Sequence, residues 1–219
     1  MKAVCLVSGG PDSAVAAAIA KREGYELYCL SFDYGQIATK ELGSAEKIAK
    51  ALAAKEHRVV DISFLRDLYG SGVTALLDKN MPMPEGFEQS VIVPFRNGIL
   101  ISIAAGYAAA IGADVIFYGA HGEDARFYPD CRQEFVSAIS RAISSGTESK
   151  LGVRNPLGDK TKAEAIKLAV KLGVPLELTW SCYLNLEVHC GRCESCRNRK
   201  RAFKEAGVKD PTVYADQSV

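Results

Sequence analysis

Two groups of residues in this chain are spaced for chemistry. Near the N-terminus Ser8, Gly9, Gly10, Pro11, Asp12 and Ser13 read SGGPDS. Near the C-terminus Cys182, Cys190, Cys193 and Cys196 stand as C-x7-C-x2-C-x2-C. In the first group, two glycines let the backbone approach an anion with no side chain in the way. A helix opening at Pro11 would add free N–H groups and a positive dipole end, which suit a phosphate. Ser8 and Ser13 supply hydroxyl donors. The same residues also make an ordinary tight turn with Asp12 and Ser13 capping a helix, and the residues alone leave both readings open. Neither G-x-x-x-x-G-K-[ST] nor G-x-G-x-x-G occurs, so a lysine-bearing phosphate loop is absent and a dinucleotide site is disfavoured.

In the second group, two overlapping C-x-x-C steps bring thiolates within reach of one ion, and Cys182 closes a tetrahedron. Four soft sulfur donors with no open position suit structural zinc. An iron–sulfur cluster would need redox chemistry that nothing else in the chain suggests. His189 in place of one thiolate is an alternative, but four thiolates are simpler, and His189 is expected to be an exposed loop residue. Arg192, Arg197, Arg199, Lys200 and Arg201 invite a nucleic-acid reading. The stronger account is that cations near the thiolates offset their charge and the rest form the solvated face of the last helix. Metal binding would supply about 10 kcal/mol or more of local folding energy. The segment then reads as a brace for chemistry elsewhere. Of the other cysteines, Cys5 and Cys29 fit buried strands. Cys131 sits near a helix start, where its pKa would be lowered.

These groups must be positioned by a scaffold, and the chain alternates strand and helix patterns. KAVCLVS, YELYCLSFDYG, HRVVDISF and ADVIFYGA read as strands. Helices are expected over PDSAVAAAIAKREG, TKELGSAEKIAKALAAKE, about Asn97 to Ile111, PDCRQEFVSAISRAISSG and KTKAEAIKLAVKLG. From Leu65 to Ser90 no period holds, and NMPMPEGFEQS reads as a long surface loop or lid. The pattern predicts an α/β fold with a doubly wound parallel sheet covered on both faces. Residues 1–178 would form this domain and 179–219 the metal-binding segment with its helix. SGGPDS then lies at the carboxyl end of strand one, where such sheets bind ligands. With 219 residues, net charge +1, 24% charged and 48% hydrophobic residues, the chain has an ordinary globular composition. Near-neutral charge gives no support to a nucleic-acid binder. The apolar run from Asn97 to Ala120 is rich in Ala and Gly and is broken at Gly112 to Asp114, so a buried helix and strand explain it better than a membrane span. The start is not a signal peptide, and a reducing cytoplasm is expected, where thiols and metal-bound thiolates outweigh disulfides.

SGGPDS after an N-terminal strand resembles the pyrophosphate loop of the N-type ATP pyrophosphatases, which split ATP to AMP and pyrophosphate on an adenine nucleotide alpha hydrolase-like fold. Further stretches, FDYGQ (Phe32–Gln36), VPFRN (Val93–Asn97), YPDC (Tyr128–Cys131), NPL with KTKAE, and TWSCY with HCGRCESC, are similar to the 7-cyano-7-deazaguanine synthase family within that group. The likeness covers nearly the whole chain. One departure is Ile37-Ala38-Thr39, where the family often continues Arg-His after YGQ; Gln36, Lys40 and Glu41 remain available there. The resemblance implies conversion of 7-carboxy-7-deazaguanine, ammonia and ATP to the 7-cyano compound, through an acyl-adenylate and an amide, in queuosine biosynthesis. It implies that Ser8, Gly9, Gly10, Pro11, Asp12 and Ser13 hold the pyrophosphate end of ATP, with Mg bridging the phosphates and structural zinc on the cysteines. Asp12, Ser13, Lys160 and Arg96 are the candidate catalytic residues, with Lys162 as the alternative lysine. Tyr34, Gln36, Phe95, Arg96, Asn97, Asp124 and Asp130 are the candidate substrate contacts. Ammonia is expected free from solution, since no glutaminase-type Cys–His pairing is evident. Nucleic acid and membrane partners are not expected; a homodimer is. The rival enzyme is a tRNA-modifying ligase or thiolase of the same superfamily, for which few residues remain to form a tRNA-binding domain. The rival from another class is a non-enzymatic zinc module that binds nucleic acid, which would need no phosphate loop.

Overall fold

A computed structural model describes residues 1–217. Five parallel strands, β1 (Lys2–Leu6), β2 (Glu26–Asp33), β3 (Glu56–Asp61), β4 (Val115–Phe117) and β5 (Gly152–Arg154), lie in the order β3-β2-β1-β4-β5. The helices are α1 (Pro11–Arg22), α2 (Lys40–Ala51), α3 (Phe64–Tyr69), α4 (Arg96–Ile111), α5 (Gln133–Gly146), α6 (Lys162–Leu172) and α7 (Glu194–Ala206). Alternation along β1 builds both faces of the sheet. Ala3, Cys5 and Val7 join a core with residues of α1, α2, α6 and α7. Val4 and Leu6 join a second core on the opposite face, with Ile101, Ala104 and Ala108 of α4 and Val136 and Ile143 of α5. The expected two-faced parallel sheet is thus present, and Cys5 and Cys29 are buried core residues as expected. The strand order reverses between β1 and β4, which opens a crevice above their carboxyl ends.

Several expectations are corrected. β5 is only three residues long, too short for a pattern to register. Helix α5 starts at Gln133; Pro129–Cys131 form a separate 3-10 turn. Over 79–88 the segment is a mostly exposed loop without helix or strand, as expected, but residues 65–90 as a whole are tied to the fold. Their first part completes α3, and Thr74, Ala75, Leu76 and Leu77 are buried. Ile37 donates its N–H to the Leu76 carbonyl (2.9 Å), and Ala75 to that of Ser90 (2.7 Å). At the far end the Pro84 carbonyl accepts from Glu194 N–H (3.1 Å) at the start of α7. The segment 89–111 is apolar and long enough to cross a membrane by composition alone. In the fold, α4 lays Ile101, Ala104, Ala105 and Ala108 against the sheet.

Candidate active site

The turn between β1 and α1 is held by its own hydroxyls. Ser13 Oγ accepts from Ser8 N–H and Ser8 Oγ, both at 3.1 Å, and donates to the Gly10 carbonyl at 3.0 Å. Ser13 is therefore a buried staple of the loop. Gly9 has φ +92°, and a β-carbon there would collide with the Glu41 carbonyl. Its glycine is required by the start of α2 as well as by any anion. The Gly9 carbonyl accepts from Trp180 N–H (2.8 Å), so the cysteine-rich segment clamps the loop directly. Across the crevice, a β-carbon on Gly119 would collide with the Asp12 backbone, which shows how closely the end of β4 packs on the first turn of α1.

A cavity of about 210 Å³ lies over this turn, bordered by Ser8, Asp12, Glu41, Arg96, Asp124 and Lys162 among others. A narrower slot of about 160 Å³ continues from it between Val7, Phe32, Leu42 and Leu100. Lys162 Nζ lies 3.4 Å from Asp12 Oδ2 and 3.5 Å from His121 Nε2, and that nitrogen is 3.3 Å from Asp124 Oδ1. Burial alone would raise the Asp12 carboxyl, but Lys162 and His121 hold it below the usual range. Asp12 Oδ1 is buried with no hydrogen-bond partner among the described residues. Burial pushes Asp124 upward, against the pull of His121 and Lys162. Lys162 comes into place because Thr161 and Glu164 form a capping box that starts α6 there. Lys160, two residues earlier, lies outside the cavity and pairs with Asp159 (3.0 Å). Of the two lysines weighed, Lys162 occupies the site.

The other wall is built by the end of β2 and the starts of α2 and α4. Arg96 Nη1 donates to Tyr34 Oη at 3.3 Å, and its guanidinium stands 5.7 Å from the Tyr34 ring centre. Gln36 is buried and its amide is bonded within the protein. Its oxygen accepts from Tyr34 N–H (2.8 Å), and its nitrogen donates to the Phe32 carbonyl (3.1 Å) and to Glu41 Oε1 (2.9 Å). Gln36 thus positions Glu41, with its amide nitrogen spent within the protein, and it borders the cavity. Burial is the largest influence on Glu41 and pushes its carboxyl up to about 7, although Arg96 pulls the other way. Phe95 does not line the cavity. It is 61% exposed at the left-handed start of α4 (φ +52°), edge-on to Phe135. Asp130 Oδ2 accepts from Asn97 N–H (2.9 Å) and so caps α4; it borders a small side pocket with Arg96 and Asn97. Cys131 receives a hydrogen bond from Asn97 Nδ2 (3.3 Å), and burial pushes its thiol up, opposite to the lowering expected at a helix start. His121 is a site residue that sequence reading missed. Its position just after β4, at the carboxyl edge of the sheet, is the signal that could have found it.

The four cysteine sulfurs all lie within 4.8 Å of one another and are buried. A tetrahedron of metal–sulfur bonds of about 2.3 Å has edges of about 3.8 Å, and Cys190 Sγ and Cys196 Sγ stand 3.8 Å apart. Cys182 Sγ accepts from the N–H groups of Leu184 and Cys190, and Cys190 Sγ from those of Arg192 and Cys193, all at 3.3–3.4 Å. Amide donors aimed at sulfur favour thiolates, so the donor set fits a bound metal cation. Two expectations fail around it. His189 is buried, with Nε2 accepting from Ser181 N–H (3.0 Å) and its ring between Trp180 and Tyr214. Arg199 is fully buried and makes no solvated face. It donates to Thr179 Oγ1 (2.7 Å), Ser181 Oγ (3.2 Å), the Leu176 carbonyl (3.2 Å) and Asp210 (3.2 Å). It thereby ties α7 to the strand-like segment that carries Trp180 to the loop.

Sheet order, hydroxyl-stapled turn and cavity at the reversal point define the class as a doubly wound α/β domain with its crevice over the β1–α1 turn. A solved 4-thiouridine synthetase, described as an RNA complex with bound ATP, shares this fold at 19% identity and TM-score 0.54, over 94% of this chain and 50% of that one. The family described as queuosine biosynthesis protein QueC matches residues 2–207, and the chain belongs to it. Among similar proteins, the 7-cyano-7-deazaguanine synthase of Sulfurovum sp. (strain NBC37-1) is 46% identical over 97% of this chain and 98% of its own length. That of Archaeoglobus fulgidus is 46% identical over 99% and 92%.

Proposed function

We propose that the protein converts 7-carboxy-7-deazaguanine to 7-cyano-7-deazaguanine with ATP and ammonia, adenylating its substrate twice in one cavity. The observation that carries this beyond family membership is the single continuous cavity. It joins the glycine turn to the half-buried Arg96 guanidinium and to two carboxyls of different character, Asp12 and Glu41. A carboxylate resists attack because it is anionic and its oxygen leaves poorly. Transfer of that oxygen to AMP makes it a leaving group, and ammonia then gives the amide. Adenylation of the amide oxygen permits loss of AMP and leaves the nitrile.

In this reading Ser8, Gly10 and the N-terminus of α1 hold the pyrophosphate end of ATP. Lys162 neutralises charge that builds on the phosphates in the transition state. Asp12, with its unpartnered Oδ1, and Asp124 beside it are the residues that fit magnesium; bound there, it would screen the phosphate charges. Arg96, kept protonated by its neighbours Tyr34 and Glu41 against the opposing effect of burial, faces the substrate carboxylate. Asn97 and Tyr34 border the same space. The cysteine cluster takes zinc and serves as a brace: through Trp180 and Arg199 it fixes the segment that closes on the glycine turn. Residues 179–219 thus act as an appendage to the catalytic domain 1–178.

The test is a reaction of purified protein with ATP, ammonium salt and the carboxylic acid, without RNA, read by mass spectrometry and nucleotide chromatography. Nitrile with two AMP per product is expected. ADP and orthophosphate as nucleotide products, or a requirement for RNA, would overturn the reading.

A further inference from the structure

We propose that Glu41 is the proton acceptor for the nitrogen nucleophile, held in register by Gln36. The inference rests on the reading above that ammonia is the co-substrate. Ammonia is mostly ammonium at neutral pH and cannot attack until it gives up a proton. In the first round, ammonium loses one proton before attack and the nitrogen loses a second as the adduct collapses. A C–N bond forms, the C–O bond to AMP breaks, and AMP leaves with the electron pair. In the second round, the O-adenylated amide loses two N–H protons as the C–O bond breaks and the nitrile forms. No oxidant or reductant enters. Both rounds therefore need a base beside the acyl carbon, able to pass each proton on to water through the cavity mouth.

The other titratable groups bordering the cavity are poorly suited. Asp12 is engaged by Lys162, which with His121 holds its carboxyl below the usual range against the effect of burial, so it is the weaker base. Asp124 is engaged by His121, which lies outside the cavity lining and is itself in contact with Lys162. The Cys131 thiol is pushed up by burial and is neutral at working pH. Glu41 borders both the main cavity and the slot beside it. Its Oε1 is fixed by Gln36 at 2.9 Å, and Gln36 is itself locked by Tyr34 N–H and the Phe32 carbonyl. The charged and titratable groups around it are Arg96 from α4 and Tyr34 and Asp33 from the end of β2. Lys40, its neighbour in sequence, turns away to Glu187 (3.3 Å) and the Trp180 ring. Burial lifts the carboxyl to about 7, which matches the requirement that a general base titrate near working pH. A carboxylate facing a small cavity also suits ammonium itself, by charge and by hydrogen bonding.

Three readouts on Glu41→Gln test this. General-base catalysis contributes about a hundredfold or more, so ammonia-dependent nitrile formation should fall by about that factor. Hydroxylamine is unprotonated at neutral pH, so hydroxamate formation from the same acyl-adenylate should fall by less than a tenth as much. Substrate-dependent exchange of labelled pyrophosphate into ATP reports adenylation alone and should fall far less than nitrile formation. Gln36→Leu, which frees Glu41 from its anchor, should repeat the pattern in milder form. Equal losses with ammonia and hydroxylamine, or collapse of the exchange reaction with a raised KM for ATP, would assign Glu41 to ATP binding and overturn the proposal. If wild-type protein gives exchange but no product with ammonia, the reading of the co-substrate fails instead.

Discussion

The cysteine cluster and the cavity differ in how far apart in sequence their parts lie. All four sulfurs come from the fifteen residues from Cys182 to Cys196, and they lie within 4.8 Å of one another. The cavity draws Asp12 from α1, Glu41 from α2, Arg96 from α4, Asp124 from the loop after β4 and Lys162 from α6. One region is specified locally and the other by topology, and they touch at several points, with Ser181, Tyr183 and Ser195 bordering the cavity. Trp180 N–H bonds the Gly9 carbonyl, and Pro84, close to the Arg197–Glu85 ion pair, bonds α7. In the proposed function, the cysteine segment would hold the distant cavity in place without contributing a catalytic group.

Perturbing the cluster should have the largest effect. Cys196→Ser should lose the metal and with it about 10 kcal/mol of linked folding energy. Metal content, melting temperature and activity should fall together; a variant that stays folded and metal-bound yet inert would break the distinction between brace and cavity. Next comes Arg199→Ala, which takes the charge partner from Asp210 and a donor from the Thr179 and Ser181 hydroxyls and the Leu176 carbonyl. A cost of about 3–5 kcal/mol is expected from denaturant titration. A loss under 1 kcal/mol would show that α7 does not depend on that tie.

Within the cavity, Lys162→Ala should lower kcat by about a hundredfold or more, a few kcal/mol of transition-state stabilisation. Lys160→Ala should stay within about threefold, since an exposed pair with Asp159 contributes little. Steady-state kinetics on the two variants decides between them, and equal effects would remove the assignment. The smallest effect runs in the opposite direction. The folded-state pKa of Glu41 is raised above its ordinary value, so its contribution to stability is present below about pH 4.5 and is lost as pH rises toward about 7. Glu41→Gln should therefore be more stable than wild type at pH 8, by about 2 kcal/mol after allowance for its partial exposure. The gain should vanish near pH 4.5. Unfolding at both pH values checks this, and a variant less stable at pH 8 would show that the ionised carboxylate is a structural partner of Arg96.

The same contrast explains what could be read from sequence. The sheet class, the helix at Pro11 and the four ligands follow from periods and spacings of a few residues. Lys162 was legible in principle, because Thr161 and Glu164 mark the helix start and place the lysine in its first turn. Gln36 is legible as a candidate contact but its positioning role is not, since its three hydrogen bonds depend on how the chain folds back at Tyr34 and Glu41. Arg199 and His189 read as surface residues because polar types in a basic, helical segment are normally solvated. Only the packing of α7 against Thr179 and of Tyr214 against His189 buries them.

The claim that one cavity activates the same carbon twice is tested most directly by oxygen labelling. With both carboxylate oxygens of the substrate replaced by ¹⁸O, each adenylation should carry one label into AMP. The account predicts two AMP molecules per nitrile, each bearing a single ¹⁸O. Unlabelled AMP, label in orthophosphate, or only one labelled AMP per nitrile would contradict it.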